Sequence, residues 1–545
     1  MAAGLAAFAN GQATQPVSSI PSGAPVVDLG YVSYLGSTND TSGITYYRGI
    51  HYAQPPVGAL RWQKPRPIEQ ANDFEGATLN ATQAAPSCYQ SAPESLLLGG
   101  LGSLLTESLG VPQSEDCLVL DVLVPSRPQS DSLPVIVMIH GGGYTLGGAQ
   151  SSPGDAMVHA SNGSVIYVSI QYRLGIHGFL GGSQIANDGV RNAGLLDQRA
   201  ALEWVSRNIH AFGGDSSRVT IWGPSAGGGS VTHQLTAGGA YDEPPFSAAI
   251  AEHPWWQPLL NSSQQEIQFS QALRLANCSS VHCLRELSSE ALGTVGQAVQ
   301  NASWPGATGY GSSYYGPVVD GAFIRELPDQ AFKAGRFYDV PLLVEHSAYE
   351  GLLFSNTSET TQAEQVMDAM DLFPYAGPAF FSRLYQLYPA SDFNSSVFQR
   401  QAWFGDFIIS CPTYYMASRA VDVSRNASAV FKLIFAAGTE IHGATGPFLQ
   451  NADIEWAGAN NRTLAEIMTA YWISFAVTHD PNPLRDARAP YWPSYVSGGS
   501  GTVAEGESVG FSTLAVTYAS IGPQQDPDMG AKCDFFGSNG LVVRN

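Results

Sequence analysis

The sequence predicts an α/β fold: a large, mixed, mainly parallel central sheet with helices on both faces. Three observations predict it. The apolar run Pro134–Ile139 reads as a buried strand and ends in the glycine cluster Gly141-Gly142-Gly143. A second strand-like run, Arg218–Trp222, meets Gly223-Pro224-Ser225-Ala226-Gly227 and continues as a Gly-rich polar stretch to Leu235, the pattern of strand, sharp turn and helix. Strand-like and helical segments then alternate along the chain, as they do where helices cover a parallel sheet.

Taken in order, Leu202, Val205 and Ile209 recur at helical spacing and predict a helix that stops at Gly213-Gly214. Val430–Phe435 is again an apolar strand, followed by the loop Gly438–Gly443. Ile467, Met468, Tyr471, Trp472 and Phe475 share one helical face, with Thr463 and Glu466 as a capping box at its start and an end near His479-Asp480-Pro481. No charged, low-complexity or Pro-rich linker interrupts the middle, and a 44% apolar fraction suffices for one large core. The expected organisation is one domain over 26–540, preceded by a signal-peptide remnant or disordered stretch over 1–25.

Ser225 is the candidate nucleophile. In a chain with 58 glycines a Gly-x-Ser-x-Gly run is weak by itself, so the flanking strand and helix carry the assignment. A serine hydroxyl attacks a carbonyl only if a base removes its proton, and the oxyanion then formed needs preorganised N–H donors. The glycines after His140 let main-chain N–H groups point at such an oxyanion.

Further segments accompany these: Tyr47–Gly58, Ser114–Val122, Val168–Gly175 and Asn208–Asp215. With the elbow at Ser225 and His140–Tyr144, they occur in family order over nearly the whole chain, which resembles the type-B carboxylesterase/lipase family. That family has the α/β-hydrolase fold and includes fungal secreted lipases and the cholinesterases. The resemblance implies carboxylic ester hydrolysis through a Ser-Glu-His triad and an acyl-enzyme. It assigns the acid to Glu350, within His346–Phe354, with Tyr349 where the family has Asp; Glu345 is the near rival, and Gly351 favours Glu350. The base falls on His442, and the oxyanion hole on the N–H groups of Gly142, Gly143 and Ala226. The reaction so implied uses no metal or organic cofactor, and no zinc-spaced Cys/His cluster, P-loop or dinucleotide-binding unit is present in the sequence. The six cysteines resemble the family's pairing, Cys88 with Cys117, Cys278 with Cys283 and Cys411 with Cys533, whereas the sequence alone permits fifteen pairings.

Departures from the pattern are informative. In Ala248–Trp256, where relatives commonly carry Gln-Ser-Gly, Trp255 and Trp256 either narrow an acyl pocket or serve as packing. The loop 88–117 matches the family's lid and carries Leu96, Leu97, Leu98, Leu101, Leu104, Leu105, Leu109 and Val111. These form either a lid that makes transient contact with a lipid surface or a satellite core beneath a disulfide-closed loop. The loop has no Trp, which argues against a quaternary ammonium substrate.

A net charge of −21 without a basic patch argues against nucleic acid as a partner, and no apolar run reaches membrane-spanning length. Ten Asn-x-Ser/Thr sites and an even cysteine count point to secretion and glycosylation, although the start, Met1–Ala13, is at best a truncated or atypical signal peptide. Two other readings compete with a general esterase or lipase: a dedicated esterase or acyltransferase of a secondary-metabolite pathway, and an inactive adhesion protein of the same fold, such as the neuroligins.

The residue before the nucleophile is Pro224, where cholinesterases and many relatives have Glu, and proline removes both a carboxylate and an N–H. With less negative charge nearby, the His442 imidazolium is less stabilised, so Pro224→Glu is expected to raise the acid-limb pKa. pH–rate profiles of both proteins check this; an unchanged or lowered acid limb refutes it.

Overall fold

The computed structural model describes residues 15–70, 74, 76–92, 110–240, 243–303, 307–423, 429–450, 461–495 and 511–545. Among them are fourteen strands. The first six are β1 (Val26–Asp28), β2 (Ser33–Leu35), β3 (Ser37–Asn39), β4 (Ile44–His51), β5 (Thr78–Asn80) and β6 (Val119–Pro125). The middle five are β7 (Leu133–Ile139), β8 (Ile166–Ile170), β9 (Gly214–Pro224), β10 (Ala248–Glu252) and β11 (Leu342–Ser347). The last three are β12 (Val430–Ala436), β13 (Ser512–Thr517) and β14 (Ile521–Gln525).

Eleven strands form the main sheet in the order β14-β13-β12-β11-β10-β9-β7-β8-β6-β4-β3, and β1-β2-β5 form a small second sheet. Pairing is parallel from β8 through β7, β9, β10, β11 and β12 to β13, and antiparallel at both margins. This is the predicted mixed, mainly parallel sheet.

Because side chains alternate along a strand, the parallel strands feed two cores at once. On β7, Val135, Val137 and Ile139 join one core while Ile136 and Met138 join the other. Leu195, Leu202, Trp204 and Val205 from the helix Ala193–Asn208 close the first face, and Met468, Tyr471, Trp472 and Phe475 from the helix Arg462–Thr478 close the second.

The two predicted helices are present and stop where expected, at Gly213 and His479; only the start of the second differs. The first begins at Ala193 and runs through a 3-10 turn, Ile209–Phe212, to Gly213 in the left-handed region. The second is capped by Asn461, whose side chain accepts the Leu464 N–H; Thr463 therefore lies inside the helix and Thr463–Glu466 is not its capping box. Residues 15–25, expected to belong to a leader remnant or disordered stretch, adjoin the small sheet: Val17 N–H donates to Thr78 and Asn80 N–H to Gln15. Residues 1–14 lie outside the described residues, as do 93–109 of the lid loop and with them every leucine noted there.

The disulfides are Cys88–Cys117, Cys278–Cys283 and Cys411–Cys533, with Cα–Cα distances of 5.1, 5.6 and 5.1 Å. Among the described residues no helix is long and apolar enough to cross a membrane.

A buried charge network braces β11 and β12. Lys432 on β12 bonds both oxygens of Asp526 at 2.7 Å and also Asp528, while His346 Nε2 on β11 lies 2.8 Å from Asp528. Burial alone would lower the His346 pKa, but the charge and hydrogen bond of Asp528 outweigh it and lift it to about 9. A pKa raised on folding stabilises fully below the unfolded value and ceases to do so as pH rises through the folded one, here from about 6.5 to about 9. Asp528→Asn is expected to cost ~3–5 kcal/mol at neutral pH, since it leaves the buried His346 without its counter-charge and Lys432 with Asp526 alone. It should also flatten the decline in stability between neutral pH and pH ~10. Chemical denaturation across this range checks both, and parallel pH dependences in the two proteins refute the assignment.

Candidate active site

Five parallel strands, β7, β9, β10, β11 and β12, end on one side of the sheet, and the loops leaving their carboxyl ends surround a cavity of about 350 Å³. Its lining includes Gly142 and Gly143 after β7, Ser225 after β9, Glu252, His253 and Trp255 at and after β10, Phe354 after β11 and His442 after β12.

Ser225 sits where β9 breaks into the helix Ala226–Leu235, with φ 58° and ψ −125°, a conformation disfavoured for a non-glycine residue. Its neighbours hold it there. Ser225 N–H donates to Glu252 O at 3.0 Å, and Ser225 O accepts from Trp255 N–H at 3.0 Å and Gly229 N–H at 2.9 Å. The turn is closed so tightly that a Cβ on Gly223 would stand 2.3 Å from the Gly227 carbonyl carbon, and one on Gly227 2.1 Å from Ile139 O.

Gly142 and Gly143 adopt φ 106° and 61°, and Gly142 O accepts from the N–H groups of Thr145 and Leu146, forming a turn that faces the cavity. Among the described residues, the N–H groups of Gly142, Gly143 and Ala226 have no protein acceptor. His140, just before them, is buried, stacks on Tyr172 at 4.4 Å and has its pKa lowered to about 4 by burial, so it is neutral and structural.

His442 Nδ1 lies 2.6 Å from Glu350 Oε2, and Glu350 Oε1 accepts the Ser347 N–H at 2.6 Å. Glu345 instead faces His253 Nδ1 at 3.1 Å, so the acid next to His442 is Glu350. His442 Nε2 is buried and makes no hydrogen bond, with Ser225 or with any other described residue. Burial lowers the His442 pKa; the charge and hydrogen bond of Glu350 oppose this, and His253 adds to it. For Glu350, burial works upward, yet the charge and hydrogen bond of His442 hold the carboxyl below its usual value.

The His442 ring is walled by aromatic edges, with His253 at 4.6 Å, Phe354 at 4.9 Å and Trp255 at 6.1 Å between centroids. Of the two tryptophans considered for an acyl pocket, Trp255 lines the cavity. Trp256 points into the core, donates to Thr232 Oγ1 at 2.8 Å and packs near Phe332 and Tyr415, so it is a packing residue. Sequence reasoning did not single out Leu146, Leu353 or Phe354 as cavity residues, nor Glu252 and His253 as members of the site; their signal was position, just past the carboxyl ends of parallel strands.

Glu252, His253 and Glu345 bring potential metal-ligand atoms within 4.8 Å of one another. These groups are already engaged within the protein. Glu252 accepts from Trp222 Nε1 at 2.7 Å and from Thr445 Oγ1, and His253 pairs with Glu345.

Comparison with known proteins identifies the family of the chain. The sequence model of the carboxylesterase family matches residues 24–507. The chain is 31% identical to Lipase 1 of Geotrichum candidum over 505 residues, 83% of this chain and 86% of that protein. It is also 31% identical to Secreted lipase 1 of Botryotinia fuckeliana over 532 residues, 89% of this chain and 88% of that protein. The crystal structure of Aspergillus niger EstA superposes with a TM-score of 0.82 at 28% identity, covering 96% of this chain and 99% of that one. The α/β-hydrolase fold and the match along almost the full length place the chain in one group: it belongs to the carboxylesterase family, that of carboxylic ester hydrolases.

Proposed function

We propose that the protein is a secreted serine esterase in which Ser225, His442 and Glu350 form the catalytic triad. The observation that carries the reading is the Glu350–His442 contact of 2.6 Å, with the opposite nitrogen of His442 unbonded in the wall that also holds Ser225. As Ser225 Oγ attacks the ester carbonyl carbon, His442 Nε2 takes its proton. Glu350 fixes the imidazole tautomer and offsets the imidazolium charge, and the free N–H groups of Gly142, Gly143 and Ala226 hold the oxyanion. His442 then passes the proton to the departing alcohol, leaving an acyl group on Ser225. Water, deprotonated by His442, attacks that acyl group and releases the carboxylic acid and the free serine.

The cavity is mainly apolar, with Leu146, Trp255, Leu353 and Phe354 in its wall, which suits an uncharged ester, and its volume of about 350 Å³ favours a short acyl group over a long chain. The three disulfides support an oxidising secretory route, as does similarity to a protein named Secreted lipase 1. Of the ten glycosylation sequons, nine have their asparagine among the described residues and none of those nine is buried; Asn426 lies outside them.

Hydrolysis of p-nitrophenyl butyrate and palmitate tests the reading. Butyrate should be turned over faster than palmitate, and Ser225→Ala or Glu350→Gln should lower kcat on the order of 10⁴-fold. Undiminished butyrate turnover in Ser225→Ala refutes the triad. A Cβ at Gly142 would stand 2.3 Å from Leu146 O and must also accept φ 106°. Gly142→Ala is therefore expected to reduce kcat on the order of 10²-fold with a smaller change in KM, measured in steady-state assays.

A further inference from the structure

Glu252 is fully buried at the end of β10 and lines the cavity. Its register partner across the β9–β10 pairing is Pro224, the residue before the nucleophile, which carries no carboxylate. The main chain of Glu252 holds the nucleophile in place by accepting the Ser225 N–H. Its side chain reaches the other catalytic loop, since one oxygen accepts from Trp222 Nε1 on β9 and the other from Thr445 Oγ1, three residues beyond His442. Burial raises the Glu252 pKa above its usual value and Glu345 adds to this, while His253 and the hydrogen bonds of Thr445 and Trp222 favour the ionised carboxylate.

We propose that Glu252 is a positioning residue for His442: it anchors the His442 loop through Thr445 and supplies beside the imidazole the negative charge that position 224 lacks. The inference rests on His442 being the catalytic base. The other ionisable groups around Glu252 are His253 beside it in sequence, Glu345 on β11, Tyr167 on β8 and His442 itself. Of these, His253 pairs with Glu345, and Tyr167 donates to Ser152 O. The Glu252 charge acts to raise the His442 pKa against the effect of burial, which is the direction a stabilised imidazolium requires.

The test is the pH dependence of kcat/KM on p-nitrophenyl butyrate for the wild type, Glu252→Gln, Glu252→Asp and Thr445→Val, with Ser225→Ala as control. Glu252→Gln keeps the shape and an acceptor oxygen but removes the charge, so its acid limb should move to lower pH by roughly half a unit to one unit. Glu252→Asp keeps the charge and should leave the acid limb near the wild-type position. Thr445→Val keeps the charge but cuts the anchor, so kcat should fall several-fold with KM little changed. An acid limb unmoved in Glu252→Gln overturns the electrostatic role, and wild-type kcat in Thr445→Val overturns the anchor. Activity surviving in Ser225→Ala would instead overturn the triad on which the inference stands.

Discussion

The site depends on one constraint, the turn that carries β9 through Ser225 into the helix behind it. The conformation at Ser225 costs about 1–3 kcal/mol and persists only where its surroundings enforce it. Here they do so from two sides. Glycines at 223 and 227 let strand and helix close to distances that any side chain would prevent, and the segment from Glu252 to Trp255 grips Ser225 by its N–H and its carbonyl. The same segment then presents His253 and Trp255 to His442, so the packing that strains Ser225 also shapes the wall around His442.

Burial sets the electrostatics around that turn. Glu252, Glu345 and Glu350 are buried carboxyls within one small region, and each would be costly in isolation. Each has a specific answer: Trp222 and Thr445 for Glu252, His253 for Glu345, and Ser347 N–H with His442 for Glu350. Burial lowers the proton affinity of His442, and the charge and hydrogen bond of Glu350 work against that burial. The acidic character of the whole chain is a separate matter, one of solubility.

The elements behind the site are tied as firmly as those in front. His346 precedes Glu350 by four residues and Lys432 lies on the strand that leads to His442, and both are held by aspartates from 526–528. The loops carrying Glu350 and His442 thus leave strands whose register is fixed by buried ion pairs as well as by the sheet ladder.

Much of this was legible in the chain. Apolar runs marked β7, β9 and β12, and residues that must be small or nucleophilic lie close together in sequence at the elbow and at Gly141–Gly143, because such turns are local. The spacing of Leu202, Val205 and Ile209 and of Ile467 through Phe475 marked two helices and their ends at Gly213 and His479, and only the start of the second was misplaced, its cap being Asn461 rather than Thr463. What the sequence determined by itself is the order of strands and turns, the family and the position of the sharp turn at Ser225, all encoded within short stretches. The resemblance already favoured Glu350 over Glu345, but only the tertiary structure decided that Trp255 lines the cavity while Trp256 fills the core, and that Glu252 stands opposite Pro224. Those outcomes depend on which groups from β9, β10, β11 and β12 arrive at one carboxyl-terminal rim, and contacts between strands far apart in sequence leave no local pattern to read.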